Sequence, residues 1–245
     1  GQRCSALRVL CVQRDIAPRV VTLLQGAMDE ISVGDPADRA TDVGPVIDRV
    51  AQSALERHVD AMRELGFVRH RTPLPAACAN GSFVAPTLVA LDRLDRLAKE
   101  VFGPILPIIA VDSVTEAIAF VQQRAQDGDK PLALYTFSDS DDENEQVIAG
   151  TSSGGVCVNG TLLHFSNPNL PFGGVGESGM GSYHGKFGFD TFTHHRAVHT
   201  RTTRIDPSLA YPPYTAKKQK LVRRGMAMAD PRDRLAKLRN RFRRV

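Results

Sequence analysis

The sequence contains no tryptophan, and aromatic residues fill only 6% of its 245 positions. No apolar run approaches the roughly 20 residues that a membrane-spanning helix needs, so no such span is expected. The four cysteines, Cys4, Cys11, Cys78 and Cys157, make neither a CxxC pair nor the Cys/His spacing of a zinc site. That pattern speaks for free thiols in a reducing compartment, so the expected location is cytoplasmic and no metal is expected. No methionine opens the chain and no signal peptide is visible in it, although a start further upstream could hide one.

What is present is an ordinary composition, 42% hydrophobic, on a chain long enough for one large or two small domains. The net charge of +4 is unevenly placed. Residues 217–245 hold 12 Lys and Arg against Asp230 and Asp233, a net of +10, which leaves the first 216 residues at −6. The basic character belongs to the tail.

Residues 6–12 read as a short buried strand. Asp15 is placed to cap a helix over about 16–30, with Pro18 in its first turn and Ile16, Val20, Leu23, Leu24 and Met28 on one face. The Gly/Pro/Asp-rich stretch 34–45 is loop. Ile47, Val50, Leu55, Val59, Met62 and Leu65 mark a second amphipathic helix stopped by Gly66, and a polar connection is expected over 67–82. Strands follow at 83–91 and 105–111, around the turn KEVFGP. Ser113 and Glu116 form an S-x-x-E capping box opening a helix to about 124. LALYTF (132–137) reads as a strand, DDENEQVIA as a helix and GGVCVN (154–159) as a strand, and RAVHTRT as a terminal strand. Apolar strands alternating with helical patterns predict an α/β fold whose mostly parallel sheet is covered by helices on both faces.

Three motifs carry chemistry. A lone cysteine is commonly a small buried hydrophobe, but Cys4 follows Gly1, Gln2 and Arg3 in a loop at the mouth of a strand, where a nucleophile can be reached. Both readings stand on spacing alone. KEVFGP (99–104) is either a turn between strands, or a carboxylate, Glu100, that binds a ligand's hydroxyl pair beside a stacking wall, Phe102. GVGESG (174–179) matches G-x-G-x-x-G in letters, yet no strand precedes it, no apolar helix follows, and no acidic residue lies about 20 positions on. Its glycines read as a tight loop that lets backbone pass close to a ligand or another chain.

The order GQRC, then EVFGP, then PFGGVGESGMG resembles the second half of the NAD(P)-dependent aldehyde dehydrogenases, from Gly1 to about residue 215. The resemblance implies that family's catalytic domain: α/β, a mostly parallel sheet with flanking helices, and a C-terminal oligomerisation strand following DTFTHHRAV (190–198). Cys4 would be the thiolate that attacks an aldehyde, its own backbone N–H donating to the oxyanion. Glu100 would hold the nicotinamide ribose with Phe102 packed nearby, and Phe172 would wall the substrate pocket. The cofactor, NAD or NADP, would be bound mainly by an N-terminal half that the 245 residues do not include. That half would also bring the glutamate base and the amide of the oxyanion hole, so the chain alone is expected to be inactive. Catalysis by a histidine, with His164, His184, His194 and His195 as candidates, is not required by the resemblance.

Two subfamilies are visible. Residues 1–107 resemble the glutamate-semialdehyde dehydrogenase module of proline-utilisation enzymes, in which Ser5 would help anchor a substrate carboxylate. Residues 131–215 resemble class 3 and coniferyl-type aldehyde dehydrogenases, and GMGSYHGK replaces the glycine loop that completes a carboxylate clamp. The expected substrate is an apolar or aromatic aldehyde, with glutamate 5-semialdehyde as the other choice, because an unmatched charge in a pocket is costly. The expected organisation is a catalytic domain (1–185), an oligomerisation segment (186–205) and a basic tail (206–245), in a homo-oligomer, dimer or tetramer. In the tail Leu235, Leu238, Phe242 and Val245 recur at helical spacing between basic residues, the pattern of a solvated terminus or of a helix on anionic membrane. No aromatic interleaving points to nucleic acid. The contrasting reading is a non-catalytic remnant that serves oligomerisation or docks through this tail.

Overall fold

A computed structural model describes residues 1–229 apart from Ala98. The chain divides into two units, Gly1–His194 and His195–Val245. In the first, the elements run β1 (Leu10–Gln13), α1 (Ala17–Asp29), α2 (Arg49–Glu64), β2 (Val68–Arg71), β3 (Thr87–Leu91), β4 (Ile105–Val111), α3 (Val114–Gln126), β5 (Ala133–Thr136), α4 (Asp141–Gly150), β6 (Gly155–Val158), α5 (Leu163–Ser166) and α6 (Gly185–Thr191).

The strand ILPIIAV is apolar along its length because both of its faces are covered. It runs as β4 between β1 and β3, parallel to both, in the order β1-β4-β3-β2. Side-chain alternation in β3 then sorts the core. Leu88 turns to one face, with Val12, Met28 and Ile108, under Val20, Val21 and Leu24 of α1. Val89 and Leu91 turn to the other, against Leu55, Val59 and Met62 of α2. The expected α/β architecture with a mostly parallel sheet and flanking helices is the one found.

Local chemistry sets the helix starts, with three differences from expectation. Asp48, not singled out in the sequence, caps α2 by accepting from the Ala51 N–H at 2.7 Å. Asp15 does not cap α1: its carboxylate takes the Ile16 N–H at 3.0 Å, and Ile16 stands at the N-cap with no side-chain bond. Ser113 caps α3 through the Glu116 N–H at 3.2 Å, while the Glu116 carboxylate reaches the Asp112 N–H instead of closing the box on Ser113. On α1 the buried stripe runs through Val20, Val21, Leu24 and Met28, and Leu23 is 63% exposed.

Two strand readings are corrected. The stretch read as a polar connection contains β2, VRHR, an antiparallel edge strand on β3. Its charges suit an edge and hide it from a hydrophobicity pattern, and Arg71 is held by Glu56 of α2 at 2.6 Å. RAVHTRT, read as a terminal strand, carries none among the described residues; a strand exists by its ladder, and this segment has no neighbour in one.

β5 and β6 form a separate parallel pair. The outer edge of β1 and that of β5 carry no ladder among the described residues, and both strands line one cleft of about 920 Å³. Polar links tie the two sheets together. Arg8, just before β1, meets Asp129 through both carboxylate oxygens at 2.9 and 3.0 Å, and Arg124 of α3 meets the same carboxylate at 2.5 Å. Tyr135 of β5 donates its hydroxyl hydrogen to the Ser5 carbonyl at 2.7 Å.

In the second unit α7 (Ala216–Ala229) carries Lys217, Lys218, Lys220, Arg223 and Arg224 and no acidic residue. The spacing read on Leu235, Leu238, Phe242 and Val245 lies outside the described residues. Among the described residues no helix is long and apolar enough to cross a membrane.

Leu88 is fully buried in the central layer. Leu88→Ala is expected to lower unfolding free energy by about 2–5 kcal/mol, and Leu23→Ala by no more than about 0.5 kcal/mol. Urea unfolding of both variants checks the assignment of the α1 face.

Candidate active site

Gly1 to Ala6 fold into a turn that the Ala6 N–H closes on the Arg3 carbonyl at 3.0 Å, leaving Cys4 and Ser5 at its centre. Cys4 is exposed, Ser5 is buried, and the Cys4 Sγ lies 3.8 Å from the Ser5 Oγ. The turn is seated by Gln2, whose Oε1 accepts from the Ile47 N–H at 2.9 Å and whose Nε2 donates to the Phe102 carbonyl at 3.1 Å. Gly1 allows the closest approach: a Cβ there would overlap the Gly103 carbonyl oxygen. The GQRC and KEVFGP motifs, a hundred residues apart, are thereby one local structure.

That contact brings Cys4, Glu100 and Phe102 to the lining of the same cleft. Phe102 is 42% exposed, so an aromatic face remains available there. Tyr135 and Thr161 line the cleft as well. Phe172 is not brought to it. Its ring joins an aromatic cluster with His164, Phe165, Tyr183 and His184, at centroid distances of 5.5–6.0 Å, and its backbone pairs with Tyr183 in both directions at 3.0 and 2.9 Å. The glycine run is explained by the same packing. A Cβ on Gly173 would strike the Gly181 carbonyl and one on Gly174 the Ser178 carbonyl, so the close approach is to the loop's own backbone.

Among the described residues no histidine lines the cleft with Cys4. His164 is buried, and burial lowers its pKa, so the ring stays neutral at pH 7. The remaining thiols are sheltered. Cys78, read in a loop, is buried with its Sγ 3.7 Å from the Val33 carbonyl, and Cys157 is buried in β6. Burial, aided by Glu116, pushes the Cys11 thiol up to about 11. At Asp129, burial favours the neutral carboxyl, but Arg8 and Arg124 outweigh it and hold the group below its ordinary value. Among the described residues no group of three or more His, Cys, Asp or Glu is placed to hold a metal ion.

Gln2 and Tyr135 organise the turn and were not singled out in the sequence. Gln2 sits inside the motif it serves. Tyr135 lies 130 residues from its acceptor, and no periodicity signals such a pair.

Comparison with known proteins accords with this geometry. The aldehyde dehydrogenase family profile matches residues 1–198, and the chain belongs to that family. The 4,4'-diaponeurosporen-aldehyde dehydrogenase of Staphylococcus aureus is 36% identical over 220 residues, 89% of this chain and 46% of that protein. The dimeric NADP-preferring aldehyde dehydrogenase of Canis lupus familiaris is 39% identical over 223 residues, again 89% of this chain and 46% of the relative. Among solved structures, the substrate-bound state of Staphylococcus aureus AldH superposes with a TM-score of 0.74 at 33% identity, covering 92% of this chain and 47% of that one. A proline utilization A variant of Bradyrhizobium japonicum gives 0.66 at 36% identity, over 74% of this chain and 18% of that one. Both subfamilies seen in the motifs are thus represented. The chain spans about half the length of the curated relatives it matches.

Under native conditions iodoacetamide is expected to label Cys4 first, with Cys11, Cys78 and Cys157 modified only on unfolding; peptide mass spectrometry reads the order. Asp129→Asn is expected to lower stability by about 1–2 kcal/mol above pH 5. Because the folded-state pKa is depressed, that deficit should shrink as pH falls through the carboxylate range, which denaturation at pH 3–6 checks.

Proposed function

We propose that this chain is the catalytic half of an NAD(P)-dependent aldehyde dehydrogenase, with Cys4 as its nucleophile. The observation that carries the reading is the exposed Cys4 on a turn seated by Gln2, sharing one cleft with Glu100 and Phe102. The Cys4 thiolate adds to the aldehyde carbon and forms a thiohemiacetal, whose oxyanion the Cys4 backbone N–H would stabilise. The chemistry that NAD or NADP supplies when bound is acceptance of the hydride released from that carbon, which leaves an acyl thioester on Cys4. Water then cleaves the thioester, releasing a carboxylate and returning the thiol.

The residues fit that cofactor by chemistry: the Glu100 carboxylate can accept from a ribose hydroxyl pair, and Phe102 offers a flat apolar face beside it. The rest of the cofactor site, the base and the second oxyanion donor belong to an N-terminal half, and the chain alone is inactive. A largely apolar cleft, with Val12, Val121, Leu132 and Leu134 in its lining, favours an apolar or aromatic aldehyde over glutamate 5-semialdehyde. Ser5, beside the nucleophile, would contact the substrate; Phe172, in its own cluster, would act on it only indirectly.

Partners follow from exposed surface. Phe189 and Phe192 are 67% and 87% exposed, which supports a homo-oligomer. α7 carries Lys217, Lys218, Lys220, Arg223 and Arg224 with no acidic residue, beside exposed Leu221, Val222 and Met226, which supports weak contact with anionic lipid.

The test uses protein purified from its source through a C-terminal tag, at whatever length it occurs there. NAD(P)+-dependent oxidation of benzaldehyde and octanal is expected, with a fall of about 10³-fold or more in Cys4→Ala. Undiminished turnover in that variant would refute the assignment of Cys4.

A further inference from the structure

The Cys4 turn is held from two directions, and the catalytic reading accounts for only one of them. On the side of Gly1, Gln2 and the Phe102 turn fix its entry. On the exit side the phenol of Tyr135 reaches it, its hydroxyl donating to the Ser5 carbonyl at 2.7 Å. That carbonyl belongs to the peptide joining Ser5 to Ala6, and the Ala6 N–H of the same peptide closes the turn on Arg3 at 3.0 Å. Fixing one peptide plane therefore fixes both the closure of the turn and the direction in which Cys4 leaves it.

The phenol is itself held. Tyr135 stands on β5, in register with Cys157 of β6, and its ring meets that of His164 in a T-shaped arrangement at a centroid distance of 5.9 Å. The Leu162 backbone amide lies near enough to the phenol to lower its pKa, against the burial that raises it. Leu162 adopts φ +64°, a left-handed conformation that a leucine takes only when its surroundings impose it. Such strain at a residue beside the Cys4 support is the kind that collects at working sites. No β-ladder joins β5 to β1, so this side-chain bond transmits the order of the small sheet to the turn.

We propose that Tyr135 is a positioning residue for Cys4, its hydroxyl clamping the Ser5–Ala6 peptide so that the thiol is presented to the cleft in one orientation. The proposal rests on the reading of Cys4 as nucleophile. Tyr135 touches neither aldehyde nor cofactor in this role; it removes the alternative turn conformations that would lower the fraction of enzyme ready to react.

Tyr135→Phe deletes the hydroxyl and keeps the ring. Two readouts in the full, source-purified protein decide the matter. Amide hydrogen exchange at Ala6 is expected to quicken about fivefold, within the range that one net hydrogen bond supplies, while amides of β3 and β4 stay as they were. The kcat for aldehyde oxidation is expected to fall about fivefold or more, with KM within a factor of two. Replacing Tyr135 by 3-fluorotyrosine, a stronger donor that keeps the fold should Phe disturb it, is expected to hold exchange at or below the native rate and to retain kcat. Unchanged Ala6 exchange in Tyr135→Phe overturns the clamp, and quickened exchange with unaltered kcat overturns its catalytic role. Absence of aldehyde turnover in the unaltered protein, or its survival in Cys4→Ala, overturns the nucleophile reading instead, and the exchange result still judges the clamp.

Discussion

Gln2 uses both ends of one side-chain amide, and the site depends on it. Its oxygen accepts from the backbone at Ile47 and its nitrogen donates to the backbone at Phe102, so the loop before α2 and the turn before β4 are both fastened to the residue two places before Cys4. The carbon-free face of Gly1 lets that fastening pull tight against Gly103. A neutral hydrogen bond contributes about 1 kcal/mol net, so the two together do little for the stability of the unit. What they give is placement: the exposed thiol, Glu100 and Phe102 come to one cleft through contacts between segments that the core alone would leave free.

The core sets the frame for this. β4 lies in the middle of the four-stranded sheet because it is apolar on both faces, and α1 and α2 close over opposite faces through the alternating side chains of β3. β1 ends up on an edge next to the cleft, so the turn that precedes it opens there. Across the cleft, Arg8, Asp129, Arg124 and Tyr135 join the small sheet to the large one by polar contacts in place of a ladder. Such links bind through a few directed bonds, and they couple the far strand pair to the Cys4 turn without adding to the core.

Much of this was legible in the sequence, for identifiable reasons. The α/β class and most element positions follow from hydrophobic periodicity, and Cys4, Glu100 and Phe102 stand in short motifs whose order carries the family likeness. Each miss has a physical cause. β2 is an edge strand made of charges, so its pairing with β3 left no apolar trace. Asp48 caps α2 at a position that counting Ile47 into the helix face had placed inside it, and Asp15 looked like a cap only because the helix register was off by a residue. Phe172 was read as a pocket wall from its motif, whereas its ring packs into a cluster with Tyr183 and its neighbours. Tyr135 is invisible because a bond across 130 residues is decided by tertiary packing alone.

The central claim is that the Cys4 turn presents a nucleophile to an aldehyde, and its most direct test is the chemistry left on that sulfur. Source-purified protein is mixed with octanal and NAD(P)+, quenched in acid within one turnover, and the peptide around Cys4 is weighed. The account predicts the added mass of an acyl group on Cys4, dependent on the oxidised cofactor and lost on treatment with hydroxylamine. Turnover with no acyl mass on Cys4, or with that mass on Cys11, Cys78 or Cys157, would contradict it.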